Sequence, residues 1–451
     1  MTESRMILQV GTHSTLRPVH GGQLRSHHIG RVLEAAGYRV RGIAACWRQP
    51  YDIVDDREAI LDIGTARLWK GPIAGGAFAD FFLCSAVDDD PALRAEFFRL
   101  AARARPDAVL LEHPWMWPLV RLIPEVAAGH APVIYDSQNV EAHLKYRIVG
   151  DLKLDTKGLA EADALLPVID TFEREVVARV DAVTACTPDD ARVFDSWGGR
   201  RTVVAGNGSS RRPVTQLRRP LPTIVPEGCR YAFMVGSAHP PNVTGFENLV
   251  LPWLASLRPG QRVVVAGGAG DWLRSRLAEQ GLSEVLEGRL ILLGRINDLA
   301  LSALIDNAAC IILPIEYGGG SNIKTAEALL SDRRVVASPA SMRGFDEYRS
   351  LPGVMVANGP AAFGAAVRSA LADASPAPRS AGSVAALTWD AMLAPLVTLV
   401  DELLNRDRVP QPPTPSLSVA KPMRGERPVL AGRLAPNRTA EISTRWWTRQ
   451  L

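Results

Sequence analysis

The chain has 451 residues, 47% hydrophobic and 22% charged, as in an ordinary soluble globular protein, and exceeds what one hydrophobic core organises, so two domains with extras are expected. Its net charge of +3 is too small to argue for nucleic-acid binding. Five scattered cysteines (Cys46, Cys84, Cys186, Cys229, Cys310) form no Cys-x-x-Cys pair and no Cys/His cluster, which predicts a reducing compartment, no disulfide and no structural zinc.

At the N-terminus "MILQV" is the only apolar run before polar residues return, so neither a signal peptide nor a membrane span is expected and the protein is placed in the cytoplasm. From Met6 to about Gly206 β-rich runs alternate with helical patterns: "MILQVG", a helix through "QLRSHHIGRVLEAAG", "VRGIAAC", then "DAVLLE", "PVIYD", the helix "VIDTFEREVVARV" and the strand "AVTAC". In "TPDDARVF" a threonine cap, proline at the first helical position and early acids mark a helix start. The "DDD" run at 88–90 reads as another solvated helix start rather than a metal motif. Such alternation implies a parallel sheet covered on both faces.

Residues 207–229, rich in proline, arginine and serine, read as a linker. A second series follows: "YAFMVGS", a helix from Val243 to about Leu257, "RVVVAGG", a helix from Asp271, "LILLGR", a helix from Leu299, "CIILP", a helix from about Ile323 to Ser331, and "RVVAS". The expected fold is α/β: two doubly wound Rossmann-like domains, 1–206 and 230–404, closed by the amphipathic helix "TWDAMLAPLVTLVDELL". The tail 405–451 is expected to be disordered. From Arg406 it carries seven prolines and nine Lys/Arg against three acids. Its "RWWTRQL" ending, with Trp446 and Trp447, makes peripheral contact with an anionic membrane one possible use.

"IEYGGGSNIKTAEALL" follows the strand "CIILP". Glycines at the carboxyl end of a parallel strand let amides approach a ligand, and the next helix offers free N–H groups with partial positive charge. That geometry favours a phosphate, and Lys324 in the first helical turn adds the full charge a diphosphate needs. Glu327 lies on the apolar stripe of Ile323 and Leu330 and needs a partner. Two partners are open: a pair of sugar hydroxyls, or Lys324 or a backbone amide, with the glycines merely turning the chain.

The order of "YDSQNVEA", "VDAVTACTPDDARVF", "VVAGNGSS", "LLGRINDLALSALIDNAACIILPI" and "GGGSNIKTAEALL…RRVVAS" resembles the family-4 (group 1) retaining glycosyltransferases of the GT-B fold, in a variant with a Gly-Gly-Gly…Lys…Glu-Ala donor loop. The resemblance spans roughly residues 6–404. It implies a nucleoside-diphosphate-sugar co-substrate held by the second domain, no other cofactor, and a glycan or lipid-linked hydroxyl acceptor. Gly318, Gly319, Gly320, Ser321, Asn322 and Lys324 map onto the diphosphate loop, Glu327 onto the ribose-binding glutamate, and Arg295 and Ile296 onto the base-edge loop, where strand-end packing is the alternative. Two departures stand out. The family's first glutamate would fall at position 319, which is glycine, so sugar recognition passes to backbone amides or Glu316. In "MVGSAHPPN", His239 and Asn242 stand where relatives carry an arginine and a lysine.

On the acceptor side the resemblance points to Gly21 and Gly22 in "PVHGGQLRSHH", to His113 beside the reacting carbon, and to Asn139 and Glu141 facing the cleft. His113 is alternatively a plain loop histidine and Asn139 a helix cap. His27 and His28 read as helix-surface residues. The implied reaction is retaining sugar transfer to a hydroxyl, with charge stabilisation of the departing diphosphate and no metal or covalent nucleophile. A nucleotide-sugar 2-epimerase and a non-catalytic scaffold are the competing readings. A nicotinamide dehydrogenase is disfavoured, because Gly267, Gly268 and Gly270 lack the Gly-x-Gly-x-x-Gly spacing.

Overall fold

The computed structural model describes residues 4–46, 56–64, 78–152, 154–211 and 224–405. The tail beyond Asn405, with Trp446 and Trp447, and the middle of the linker at 212–223 lie outside the described residues.

Strands β1 (Met6–Gly11), β2 (Arg39–Cys46), β3 (Glu58–Asp62), β4 (Ala108–Leu111), β5 (Val133–Asp136), β6 (Ala182–Ala185) and β7 (Thr202–Val204) form one sheet in the order β3-β2-β1-β4-β5-β6-β7. A second sheet contains β8 (Arg230–Val235), β9 (Gln261–Ala266), β10 (Leu290–Leu292), β11 (Cys310–Leu313), β12 (Arg334–Ala337) and β13 (Val354–Val356), ordered β10-β9-β8-β11-β12-β13. Neighbouring strands are parallel throughout. Alternation across each strand explains the unbroken apolar runs. In β1, Leu8 and Val10 enter one core while Ile7 enters the core on the opposite face; in β8, Ala232 and Met234 are divided in the same way from Tyr231 and Phe233.

Helix starts follow the side-chain capping chemistry. Thr187 accepts from the Asp190 amide and donates to its carboxylate at 2.8 Å, and Asp90 accepts from Ala92 and Leu93 ahead of Pro91–Ala104. Several bounds differ from the sequence expectations. The helix expected from Val243 runs Pro240–Leu249 and a separate turn covers Leu251–Leu254, because Pro240 and Pro241 need no amide partner in a first turn. The helix before β6 begins at Thr156, where Asp155 caps the Gly158 amide, and carries Pro167 inside it at an exposed position.

The closing helix, Trp389–Asn405, does not pack on the second sheet. Its buried face (Trp389, Leu393, Leu396, Leu399, Val400, Leu403) lies in the core that holds Ile7, Ile29 and Leu33 of the first lobe. A domain drawn as 230–404 along the chain therefore does not coincide with the packing unit. In each sheet the strand order reverses at one place, between β1 and β4 and between β8 and β11. The loops leaving these strands face each other across the molecule, the position where open α/β sheets bind ligands.

Candidate active site

Between the lobes lies a cleft of about 470 Å³, walled from the first lobe by Thr12, His13, His20, Gly21, Gly22, Arg25, His113, Gln138 and Asn139. The second lobe contributes Ser237, His239, Asn242, Tyr317, Gly318, Gly319, Ser321, Asn322, Lys324 and Arg343. Three helix N-termini converge here: Gly21–Ala35, capped by His20; Pro240–Leu249, entered through His239; and Ile323–Leu330, capped by Asn322. Each brings unpaired N–H groups and partial positive charge, so the cleft suits an anion.

The Asn322 side chain accepts from the Lys324 amide at 3.1 Å. Among the described residues, the amides of Gly319, Gly320 and Ile323 donate no hydrogen bond, while the Ser321 amide is turned to Cys186 Sγ. Gly320 is nevertheless buried, a state in which backbone donors are rarely left without a partner. Lys324 Nζ stands 4.0 Å from Glu327 Oε2, the outer limit of an ion pair.

Glycine is required at two of these positions by the approach of the lobes. A Cβ at 319 would lie 2.7 Å from Asn139 Cβ and Oδ1, and one at Gly320, whose φ is +57°, would lie 2.2 Å from the Gln138 carbonyl. The lobes are further joined where Asn207 donates from its amide to Ser321 Oγ at 2.9 Å and from Nδ2 to the Ser321 carbonyl at 2.8 Å.

On the first-lobe side imidazoles gather. The His13 ring meets those of His20 and His113 edge-on, each with centroids 5.2 Å apart, and Thr12 Oγ1 lies 3.2 Å from His113 Nδ1. Burial pushes His20, His113 and His239 down to about 4 and His13 well below its ordinary value. All four are neutral at pH 7, and each can both donate to and accept from a sugar hydroxyl. Beneath them Arg25 forks onto Asp136 at 2.8 and 2.6 Å and donates to the Ala205 carbonyl and Asn207 Oδ1, a buried pair that ties the Gly21 helix to β5 and β7.

The structure brings His113, Gly21, Gly22, Asn139, His239, Asn242, Gly318, Gly319, Ser321, Asn322 and Lys324 to the cleft wall. Gly320 is buried behind that wall. Glu327 stands one helical turn beyond Lys324. Arg295 is exposed and near enough to His20 to disfavour its protonated form, while Ile296 is partly buried against the core that holds Tyr231 and Phe233.

Several expectations are corrected. Glu316 is exposed and accepts from Asn248 Nδ2 at 2.6 Å, so its carboxylate is turned to the flank of the Pro240 helix and does not line the cleft. Glu141 does not line the cleft: it is buried, accepts from Asn139 Nδ2 at 3.0 Å, and is held near 7 by burial. Its contribution is to orient Asn139. Asn139 does not cap the following helix, whose first amides at Glu141 and Ala142 bond to Glu173. His28, expected on a surface, is half-buried and stacks on Trp389 at 4.5 Å. Sequence reasoning missed His13, His20, Asn207 and Arg343, although His20 stands beside Gly21 and Asn207 inside "VVAGNGSS".

Comparisons with known proteins agree with this geometry. Residues 20–208 match the family model described as glycosyl transferase 4-like domain. No curated protein matches the sequence. Among solved structures, sucrose-phosphate synthase from Thermosynechococcus elongatus superposes with a TM-score of 0.67 at 17% identity, covering 88% of this chain and 99% of that one. Anabaena HepE in complex with UDP and glucose gives 0.57 at 14%, covering 89% and 98%. The catalytic domain of starch synthase IV from Arabidopsis thaliana, bound to ADP and acarbose, gives 0.58 at 12%, covering 90% and 99%. The chain therefore has the GT-B fold, two doubly wound lobes facing each other across one cleft.

Proposed function

We propose that the protein is a glycosyltransferase that moves a sugar from a nucleoside-diphosphate sugar to a hydroxyl of a glycan or lipid-linked acceptor, with retention at the anomeric carbon. The observation that carries this reading is the set of unpaired amides at Gly319, Gly320 and Ile323 beside Lys324, at a helix N-terminus inside the cleft. Departure of the diphosphate is the demanding step, and fixed N–H dipoles with one lysine stabilise that charge as it forms. Glu327 and the Arg295–Ile296 loop are assigned to the ribose and base, His113 to the neighbourhood of the reacting carbon, and the neutral imidazoles of His13 and His20 to acceptor hydroxyls. Superposition on proteins solved with UDP or ADP supports a nucleotide in this cleft.

No helix among the described residues is long and apolar enough to cross a membrane, and we place the reaction in the cytoplasm. The test begins with thermal shifts under UDP, ADP and GDP, since a ligand that binds only the folded state raises its melting temperature. Lys324→Ala should remove most of that shift. The unliganded melting point should move little, because a part-exposed pair at 4.0 Å contributes at most about 1 kcal/mol. A large loss of unliganded stability would mark Lys324 as a structural residue. Labelled donors incubated without acceptor separate transfer from epimerisation: an epimerised sugar overturns the proposal.

A further inference from the structure

Three consecutive glycines have no side chains to fix them and lose more freedom on ordering than any other residues, yet an anion site requires their amides to be held in place. The carbonyls show what holds them. Arg343 donates from Nε to the Gly320 oxygen at 2.6 Å and from Nη2 to the Gly319 oxygen at 2.8 Å, and Arg147 donates from Nη1 to the Gly318 oxygen at 3.3 Å. In a planar trans peptide the C=O and N–H of one unit point in opposite directions, and the described chain has no cis bond. Three carbonyls held by guanidinium groups therefore turn three successive amides, those of Gly319, Gly320 and Ser321, the other way. Of these, the Gly319 and Gly320 amides have no partner among the described residues, and the Ser321 amide is turned to Cys186 Sγ.

We propose that Arg343 is a positioning residue for the donor diphosphate: its planar fork locks two peptide units of the glycine loop, one presenting the Gly320 N–H to the anion and the next fixed with its Ser321 N–H on Cys186 Sγ. Arg147 adds the third unit. Since it stands on the exposed side of the first-lobe helix Glu141–Asp151, it reaches Gly318 only when the lobes are closed. The anion nest is thus complete only in the closed enzyme, which makes donor grip and lobe closure one event. This inference rests on the donor reading above and adds to it the residues that shape the loop.

The experiment is calorimetric titration of the full chain with UDP, ADP and GDP, comparing wild type with Arg343→Ala, Arg343→Lys and Arg147→Ala, and recording each variant's unliganded melting point. Two charge-assisted hydrogen bonds to the loop are lost in Arg343→Ala, so affinity for the best-bound nucleotide should fall by about tenfold or more. Lysine keeps the charge but cannot fork onto two carbonyls. Arg343→Lys should therefore remain within about threefold of the alanine variant, whereas recovery to wild-type affinity would mean that Arg343 acts as a plain charge and would overturn the proposal. Unchanged affinity in Arg343→Ala overturns it as well. If Arg343→Ala does not fold, exposed Arg147→Ala carries the test: a severalfold loss supports the closure-dependent nest and wild-type affinity refutes it. Should wild type bind none of the three nucleotides, the donor reading itself fails, an outcome distinct from wild-type binding that the variants share.

Discussion

Position 319 shows how a single missing side chain organises the site. The place where the resembling transferases carry a glutamate is occupied by Asn139 of the opposite lobe, since a Cβ on Gly319 would come within 2.7 Å of its side chain. Asn139 is in turn held by Glu141, so a polar side chain of the first lobe lines the cleft opposite this glycine. Gly319→Ala is expected to force the lobes apart by a few tenths of an ångström and lower kcat/KM for transfer at least about tenfold, the equivalent of about 1.4 kcal/mol in the transition state. The melting point should stay near that of wild type, because φ at 319 is not in the left-handed region. Gly320→Ala should differ: its φ of +57° adds a backbone cost of about 1–2 kcal/mol, so melting temperature and activity should fall together. Equal melting losses in both variants would mean that the seam is structural only. Nothing local in the sequence could assign Asn139 to this contact, since it lies 180 residues away and the two are joined only by the fold.

At the scale of elements, the alternation of strands and helices made both parallel sheets legible, because period-2 and period-3.6 patterns are local properties. The anion loop was legible for the same reason: strand, glycines, Asn322, Lys324 and helix follow in order over a dozen residues. What stayed hidden was which surface each amphipathic face covers. The Trp389–Asn405 helix has an apolar face that either sheet would bury, and chain order suggested the second. It returns to the first through the Asn207–Ser209 segment, where the Ser209 amide donates to the Leu387 carbonyl at 2.9 Å; Gly208 allows this, since a Cβ there would lie 2.5 Å from the Trp389 amide. Trp389 is almost fully buried and stacks on His28. Trp389→Ala is therefore expected to cost about 3–5 kcal/mol, read as a lower urea midpoint. Amide exchange should speed up in the Gly21–Ala35 helix of the first lobe rather than around β11 and β12 of the second. Faster exchange confined to the second lobe would contradict the packing described.

For the whole molecule, the buried titratable groups set opposing demands on pH. His20, His113 and His239 fall from 6.5 to about 4 in the folded state, so the unfolded chain binds more protons between those values. The stability they support is complete above pH 6.5 and is lost as pH falls toward 4, at up to about 1.4 kcal/mol per pH unit for each imidazole. Glu141 and Glu173 act in the other sense. Burial raises them from 4.5 to about 7 and about 8, with Glu141 adding its repulsion to Glu173, so here the folded chain binds more protons. Their contribution is present below 4.5 and declines as pH rises through 7 and 8. Between 4.5 and 6.5 the lowered imidazoles, which also include His13 and His28, outnumber the raised carboxyls, which also include Glu112, and above 6.5 the carboxyls alone still titrate in the neutral range. Urea midpoints are expected to rise from about pH 5 to 6.5 and to decline from 6.5 to 8. Glu141→Gln keeps an oxygen for Asn139 Nδ2 while removing one of these charges, and should lessen that alkaline decline. A wild-type curve already level between 6.5 and 8, or a decline that the glutamine variant leaves unchanged, would show that the pair keeps no proton near neutrality. Because Asn139 hangs on Glu141, kcat/KM in wild type should weaken over the same alkaline interval if the pair's charge state governs the cleft wall, and the glutamine variant should lose that dependence.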